Sequence, residues 1–496
     1  MELKISNMPG QRMMIRLSKI LLIPVLIVFS ISGYAKGLTV LFTNDIHGHL
    51  TAEKTGGFAR LCTEVRKQRK LAEGRGDDSI FVVPGDIFQG TLISSFSRGA
   101  AEFAALQACG VDAIAMGNHD FDYGLDRILK LAKAAKFPVL CANCRYRHSK
   151  TLVFKPSAFI KKGKKTLFLL GLVTPDTPRI TAGQKDMKRL KFFSAIGIVK
   201  HYKKQNNMII LSHLGFPADR HLAKSLSDTV IIGGHTHTVL KKCRIRNKIP
   251  ICQAGAYARY LGVMHLRYAK KHLKYLDSKL IPITADIPAD PKVMKVITPW
   301  IDKVKNRASN KTGRSAVSFK ANGAAMHNRE TVLGDLVCDA MLEKTGVDAG
   351  FVNAGGIRWG LDKGIVTFGD IYRVLPFDNR IFILKIRGKA LKRVLRHIIK
   401  KRGRNGFMQI CGMSVTISHG HIRKLLIHGK PLYRNMIYSI ATIGFLVRGG
   451  DGYGFLRRYR HKDTGLLLRD SLVDFVRRHK VITWPSQGRW NFDTGL

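Results

Sequence analysis

Residues 113–120 read AIAMGNHD, an apolar run that ends abruptly in Gly-Asn-His-Asp. A short apolar run bounded by turn residues reads as a strand buried on both faces. The same form recurs on either side of it: LTVLFTN (38–44), SIFVVPGD (79–86), FPVLCAN (137–143), TLFLLGLVT (166–174), NMIILSH (207–213) and DTVIIGGH (228–235). Stretches 57–72, 99–109 and 125–136 carry helical spacing between the runs. Repeated strand–helix–strand order predicts an α/β layered fold. Nearly every run ends in Asp, Asn or His. In open α/β sheets, ligands gather beyond the carboxyl ends of the strands.

Further along, PITADIPAD (282–290) is marked by Pro and Asp, and PKVMKVITPWIDKVKNRASN (291–310) has amphipathic helical spacing. It reads as a linker helix, broken or kinked at Pro299. The expected organisation is a first domain over 36–288, a linker helix over 289–311 and a second domain of mixed helix and strand over 312–496. No internal repeat is visible.

The chain has 496 residues, and its 45% hydrophobic content excludes a disordered or collagen-like polymer. Its charge is unusual: Lys plus Arg is 84 against 34 Asp plus Glu, a net +50, with a pI near 10.3. Such a charge favours anionic partners and says nothing about fold. It also makes each scarce carboxylate informative. Lys4, Arg12, Arg16 and Lys19 precede the apolar run Ile20–Ile31, and Gly33 and Ala35 fit a signal-peptidase site. Residues 1–35 therefore read as a signal peptide, since the run is shorter than the ~20 residues a membrane span needs. The mature chain is expected to be exported, to a periplasm or to the cell surface and beyond, with no stable membrane span.

Eight cysteines in a chain this long make no disulfide scaffold. Cys243 and Cys252 flank a hairpin-like stretch and are the best disulfide pair. Cys141-x-x-Cys144 reads as core or disulfide before it reads as a metal or redox pair. The basic runs KKGKK (161–165) and IIKKRGRNG (398–406) read as solvated loops or helix ends.

The chemistry lies at the strand ends: Asp45-x-His47, Gly85-Asp86, Gly117-Asn118-His119-Asp120, His213 and Gly234-His235-x-His237. Residues two apart on an extended end point the same way. Two divalent ions clamping a phosphoester and its attacking water need carboxylate and imidazole ligands, with one carboxylate between them. Each piece alone has a plain reading, as a core histidine or a turn aspartate. In this order, together, they do not.

The ordered set D-x-H, G-D, G-N-H-D, a lone H and G-H-T-H resembles the calcineurin-like metallophosphoesterases. More closely, the chain resembles the 5′-nucleotidase family, which includes UDP-sugar hydrolases and ecto-5′-nucleotidases. The likeness implies an N-terminal four-layer α/β/β/α metallophosphoesterase domain and a C-terminal α+β domain that binds the nucleotide. It implies two divalent ions, Zn, Mn, Co or Fe. Asp45, His47, Asp86 and His237 would hold one, and Asp86, Asn118, His213 and His235 the other. His119 and Asp122 match the catalytic dyad.

In the second half, Asn353-Ala-Gly-Gly-Ile-Arg358 is a Gly-bearing turn ending in an Arg suited to phosphate or carboxylate. Phe377 and Phe445 read equally as core or as a clamp on a planar base, and Asp451 in FLVRGGDGYG as a turn or a ribose acceptor. The resemblance favours the functional reading for all five. Relatives carry a further substrate-binding Arg before the motif seen here as VLGDLVCDAM; the spacing puts His327 there, with Arg329 two residues on.

The expected activity is hydrolysis of nucleoside 5′-monophosphates to nucleoside and phosphate. Alternatives within the same machinery are UDP-sugars and other nucleotide diphosphates, 2′,3′-cyclic nucleotides or a sulfur ester. A different class, a non-catalytic cationic binder of polyanions, is motivated by the charge alone. It is opposed by the filled ligand positions and by the lack of any aromatic-rich nucleic-acid motif. The expected partner is a nucleotide, with weak attachment to anionic surfaces and no specific nucleic acid.

Overall fold

The computed structural model describes residues 37–52, 54–181, 183–269 and 272–492. The expected signal peptide, residues 1–35, lies outside the described residues. The apolar runs form the strands of two stacked sheets. In the first, β1 (Gly37–Phe42), β2 (Asp78–Pro84), β3 (Ala113–Ala115) and β4 (Val139–Leu140) lie side by side and parallel. The second sheet comprises β5 (Ser157–Lys162), β6 (Lys165–Val173), β7 (Met208–His213), β8 (Thr229–Gly233), β9 (Arg244–Arg246) and β10 (Ile249–Cys252). Its order is β9-β10-β8-β7-β6-β5, with β6, β7, β8 and β10 parallel. A long hairpin of β11 (Tyr260–Ala269) and β12 (His272–Pro282) closes the first sheet beside β1.

Period-two alternation builds the layers. Leu38, Val40, Phe42, Ile80 and Val82 face the other sheet, where they meet Leu167, Leu169, Ile209, Leu211, Val230 and Ile232. The alternate residues Leu41, Phe81 and Val83 turn outward. They pack under α1 (Phe58–Gly74) and α2 (Ala100–Cys109) through Phe58, Leu61, Val65 and Leu106. On the far side Leu170, Leu172, Ile210 and Ile231 pack under Val199 and Leu222. The result is a four-layer α/β/β/α stack. Each side chain fully buried in it stabilises the fold by roughly 1.5–3 kcal/mol.

α3 (Pro291–Ala308) leaves this stack for the second half. Asp290 caps it by accepting from the Val293 amide, and Val293 and Ile297 bury against the α2 side. The expected break at Pro299 does not occur; the helix runs on as one element. A proline removes a single backbone bond, and the buried anchors before it hold the axis. The end of α3 meets the second half directly: Arg307 lies 5.4 Å over the Phe368 ring, and Phe368 N donates to Asn310 O.

The second half has its own core, from Phe319 to Trp490. Five strands, β13 (Ala349–Asn353), β14 (Arg380–Arg387), β15 (Met408–Cys411), β16 (Ile437–Ile443) and β17 (Arg460–Leu467), pair in the order β15-β13-β16-β14-β17. α4 (Val332–Thr345) packs against them, capped by the Thr331 side chain.

Three disulfides tie the layers: Cys243–Cys252, as the hairpin spacing suggests, with Cys62–Cys109 and Cys338–Cys411, which join elements far apart in sequence. Cys141 and Cys144 are buried free thiols. Cys338–Cys411 fastens α4 to β15 across 73 residues of chain. Converting both to Ala should cost about 2–4 kcal/mol in urea unfolding. An unchanged midpoint would mean that the C-terminal core does not depend on this staple.

Candidate active site

The site forms where loops leave the carboxyl ends of β1, β2, β3, β7 and β8. Two glycines let those loops converge. Gly85 has φ +81, and a Cβ there would stand 2.6 Å from both Gly117 N and His213 Nδ1. A Cβ on Gly117 would stand 2.2 Å from Asp86 N. Neither approach tolerates a side chain.

Asp120, fully buried, locks the two loops together. Its Oδ1 accepts from Ile87 N at 2.8 Å and Phe88 N at 3.2 Å. Its Oδ2 accepts from Gly117 N at 2.7 Å and Asp86 N at 3.1 Å.

Asp45, His47, Asp86, His235 and His237 all have left-handed backbone, with φ between 48° and 76°. Non-glycine residues rarely sit there, and such residues cluster at functional sites. The side chains form two adjoining groups, Asp45 with His47 and His237, and Asp86 with His213 and His235. His237 Nε2 is 3.3 Å from Asp45 Oδ1 and 3.1 Å from His47 Nε2. His213 Nε2 is 3.0 Å from Asp86 Oδ2. The groups touch, since His47 Nε2 lies 3.8 Å from Asp86 Oδ2 and His213 Nε2 lies 4.0 Å from Asp45 Oδ1.

The outer ring nitrogens are held by carbonyls: His213 Nδ1 by Pro84 O at 2.8 Å and His47 Nδ1 by Phe88 O at 3.3 Å. Both rings thus present Nε2 inward, the arrangement of a metal-binding imidazole. The buried, inward Asn118 Oδ1 finds no hydrogen-bond partner among the described residues. Burial holds His47 down to about 3 and His235 to about 4, so both keep a free lone pair. Burial opposes ionisation of Asp45 and Asp86, but the imidazoles around them outweigh it and hold both below the ordinary carboxylate range. Burial opposes the charged form of His213, but Asp86 and Asp45 outweigh it and raise it to about 10, so a bound ion would take the place of its proton. Ionised carboxylates, the neutral imidazoles of His47 and His235 and an orphaned amide oxygen fit divalent ions.

Beside these groups, His119 Nδ1 is 2.7 Å from Asp122 Oδ2, and Thr181 Oγ1 donates to Asp122 Oδ1 at 2.7 Å. The His119 amide donates to Asp86 Oδ1 at 2.8 Å, tying the pair to the cluster. Burial depresses the His119 imidazole, but Asp122 and Asp86 outweigh it and raise it to about 9.

The cluster opens into a cleft of about 1350 Å³ whose other wall belongs to the second half. Asn353, Arg358, Phe377, Phe445 and Asp451 line it together with Asp86, Asn118, His119, His235 and His237. Asn353 Nδ2 donates to Asp451 Oδ2 at 3.2 Å. Phe377 and Phe445 are half-buried; Phe377 lies in the loop before β14 and Phe445 in the short helix Gly444–Val447 after β16.

A family model of calcineurin-like phosphoesterases matches residues 38–239, and one of the 5′-nucleotidase C-terminal domain matches residues 311–458. The chain belongs to the 5′-nucleotidase family of calcineurin-like metallophosphoesterases. This is a family of metal-dependent phosphoester hydrolases. The chain is 27% identical to Protein UshA of Yersinia enterocolitica, over 90% of its own length and 92% of that protein. It is 26% identical to the human 5′-nucleotidase, over 92% and 91%. The crystal structure of a Thermus thermophilus 5′-nucleotidase precursor superposes with a TM-score of 0.76 at 25% identity, covering 93% of this chain and all of that one.

At the position where family members carry a further Arg, His327 lines the cleft, its Nδ1 3.2 Å from Arg404 O; Arg329 is exposed and outside the lining. Four contributors escaped the sequence reading. Asp120 was quoted in its motif without a role, and Thr181 sits in a loop with no signature. Tyr257 places its ring against His49, His237 and His47 at 4.5, 5.5 and 5.8 Å, and its hydroxyl accepts from Arg358 at 3.4 Å. Arg448, beside Phe445, lines the cleft.

Asp120→Asn would aim an amide NH2 at backbone N–H groups and strand buried donors. Each donor so stranded costs about 1–3 kcal/mol. Urea unfolding of the variant should fall by at least that amount, and an unaltered midpoint would show that Asp120 does not hold the loops.

Proposed function

We propose that the chain is an exported 5′-nucleotidase that hydrolyses nucleoside 5′-monophosphates to nucleoside and phosphate. One observation carries this reading. Two adjoining groups of buried carboxylate and imidazole ligands, with an orphaned Asn118 oxygen beside them, open into the cleft that Phe377, Phe445 and Asp451 line. The catalytic domain would span 36–288, the linker helix 289–311 and the nucleotide-binding domain 312–496.

Asp45, His47, Asp86 and His237 would hold one divalent ion, and Asp86, Asn118, His213 and His235 the other. Bound there, the ions would supply Lewis acidity at phosphorus and lower the pKa of the attacking water. The chain's own residues do the rest. Asp122, steadied by Thr181, keeps the proton on His119 Nδ1 and turns Nε2 to the cleft. From there His119 donates to a phosphoryl oxygen as charge develops on it. Arg358, beside Tyr257, grips the phosphate. Phe377 and Phe445 stack the base, while Asn353 orients Asp451 toward the ribose hydroxyls.

Export follows from the leader-like residues 1–35. Weak attachment to anionic surfaces follows from the second half, which carries no acidic residue between Asp378 and Asp451. Lys385, Arg387, Lys389, Arg393, Arg396 and Lys400 are exposed along β14 and the helix Gly388–Lys400. The protein should sediment with anionic phospholipid vesicles at low salt and be released by about 0.5 M salt, where screening is complete within a few ångströms.

Phosphate release from AMP or UMP should be abolished by EDTA and restored by Mn²⁺ or Zn²⁺. Asp86→Ala, which removes the ligand that both ions would share, should lower kcat by several orders of magnitude. Activity near wild type would sink the two-ion scheme. Arg358→Ala should raise the KM for AMP about tenfold or more, the size expected for a charge-assisted contact; an unchanged KM removes Arg358 from the phosphate grip.

A further inference from the structure

The four imidazoles of the ligand cluster are aimed in two different ways. His47 and His213 are held at the ring, because a carbonyl takes each outer nitrogen. His235 and His237 are not: among the described residues no protein group hydrogen-bonds Nδ1 of either ring. Their aim depends on where their backbone stands. Both hold it in the left-handed region, at φ 76° and 53°. Non-glycine residues stay there only where the surroundings over-determine them.

One side chain supplies that constraint. Gln253 follows directly on β10 and is only 1% exposed. Its Nε2 donates to Gly234 O at 2.5 Å, immediately before His235. Its Oε1 accepts from Thr238 N at 2.6 Å, immediately after His237, and from Thr236 Oγ1 at 3.0 Å, between the two. These partners fix the orientation of the amide, since an N–H faces Oε1 and a carbonyl faces Nε2. A single primary amide thus holds the loop before, between and after its two histidines. An ionised carboxylate could not donate to Gly234 O, and an apolar side chain could meet none of the three.

The segment that carries Gln253 is tied to the Asp45 loop as well. Ala254 N donates to Asn44 Oδ1 at 2.7 Å. Asn44 Nδ2 donates to Gly255 O at 2.7 Å and to Asp45 Oδ2 at 2.6 Å, and Tyr257 N donates to Asp45 O at 2.8 Å. Residues 253–257 therefore strap the two ligand-bearing loops together, and Gln253 is the end that grips the histidines. His237 belongs to one ligand group and His235 to the other.

We infer that Gln253 is a positioning residue for both divalent ions: it is a ligand of neither, and it sets the place of one imidazole in each site. The inference rests on the two-ion reading above. Groups that orient metal ligands are commonly worth about 10–100-fold in metal affinity.

The test is metal binding, read apart from turnover. The EDTA-stripped, dialysed protein is titrated with Zn²⁺ in competition with a chromophoric chelator, and the urea unfolding of each metal-free protein is measured alongside. Gln253→Ala should bind both ions about tenfold more weakly or worse. Gln253→Met refills the volume without the hydrogen bonds and should weaken both ions to the same degree; it carries the test if Gln253→Ala does not fold. Gln253→Glu keeps the acceptor oxygen and should restore part of the affinity. Zinc affinities unchanged in Gln253→Ala and Gln253→Met would overturn the inference, even with a lowered unfolding midpoint, and leave Gln253 as a support of the fold alone. Wild-type affinity in Gln253→Met beside a loss in Gln253→Ala would overturn it too, by assigning the effect to packing. Weakening of one ion only would overturn its service to both. A wild type that binds no zinc would sink the two-ion reading itself, and this inference with it.

Discussion

Four backbone N–H groups converge on one buried carboxylate, that of Asp120, and the geometry of the site depends on it. Two come from the loop after β2 at Ile87 and Phe88, one from Asp86 itself, and one from Gly117 at the end of β3. A carboxylate is the only side chain that can accept from all four at once. It fixes Asp86 and Asn118 relative to each other before any ligand arrives, which is what preorganisation requires. The same crowding explains why Gly85 and Gly117 sit where they do, since a Cβ at either would strike backbone or the His213 ring.

The site also stores strain. Five of the ligand-type residues hold left-handed backbone, at about 1–3 kcal/mol each. Loops alone would relax. These do not, because each leaves a strand whose side chains are wholly buried between two layers, as in Val40, Val82 and Ile232. The left-handed turn at the strand end folds Asp45 and His47 back toward the neighbouring strand instead of out to solvent. Core packing and ligand geometry are thus one constraint seen at two places along the same strands.

Much of this was legible in the sequence, for a physical reason. Strands buried on both faces must be apolar throughout, so a polar residue at their carboxyl end is conspicuous. That made Asp45, Asp86, Asn118, His213 and His235 visible at once, and with them the layered fold. What stayed hidden was whatever acts across distance. Thr181 supports Asp122 from a loop without a pattern, and Tyr257 matters only because the fold carries Arg358 to it. Cys62–Cys109 and Cys338–Cys411 pair across elements that sequence spacing does not relate. Of the break or kink expected at Pro299, the break is absent: one lost hydrogen bond does not end a helix anchored by Val293 and Ile297.

The charge balance gives these observations a common logic. The chain has far fewer carboxylates than cations, yet it buries several of them within a few ångströms of one another at the strand ends. Ionised carboxylates that close repel one another, so the cluster is stable only with positive charge among them. In the described structure the imidazoles of His213 and His119 supply it. The opposite wall adds Arg358, Arg373 and Arg448, beside Asp378 and Asp451. An acidic floor that gathers cations, arginines that gather anions and two phenylalanine rings in the same cleft match the three parts of a metal-assisted nucleotide substrate: ions, phosphate and base.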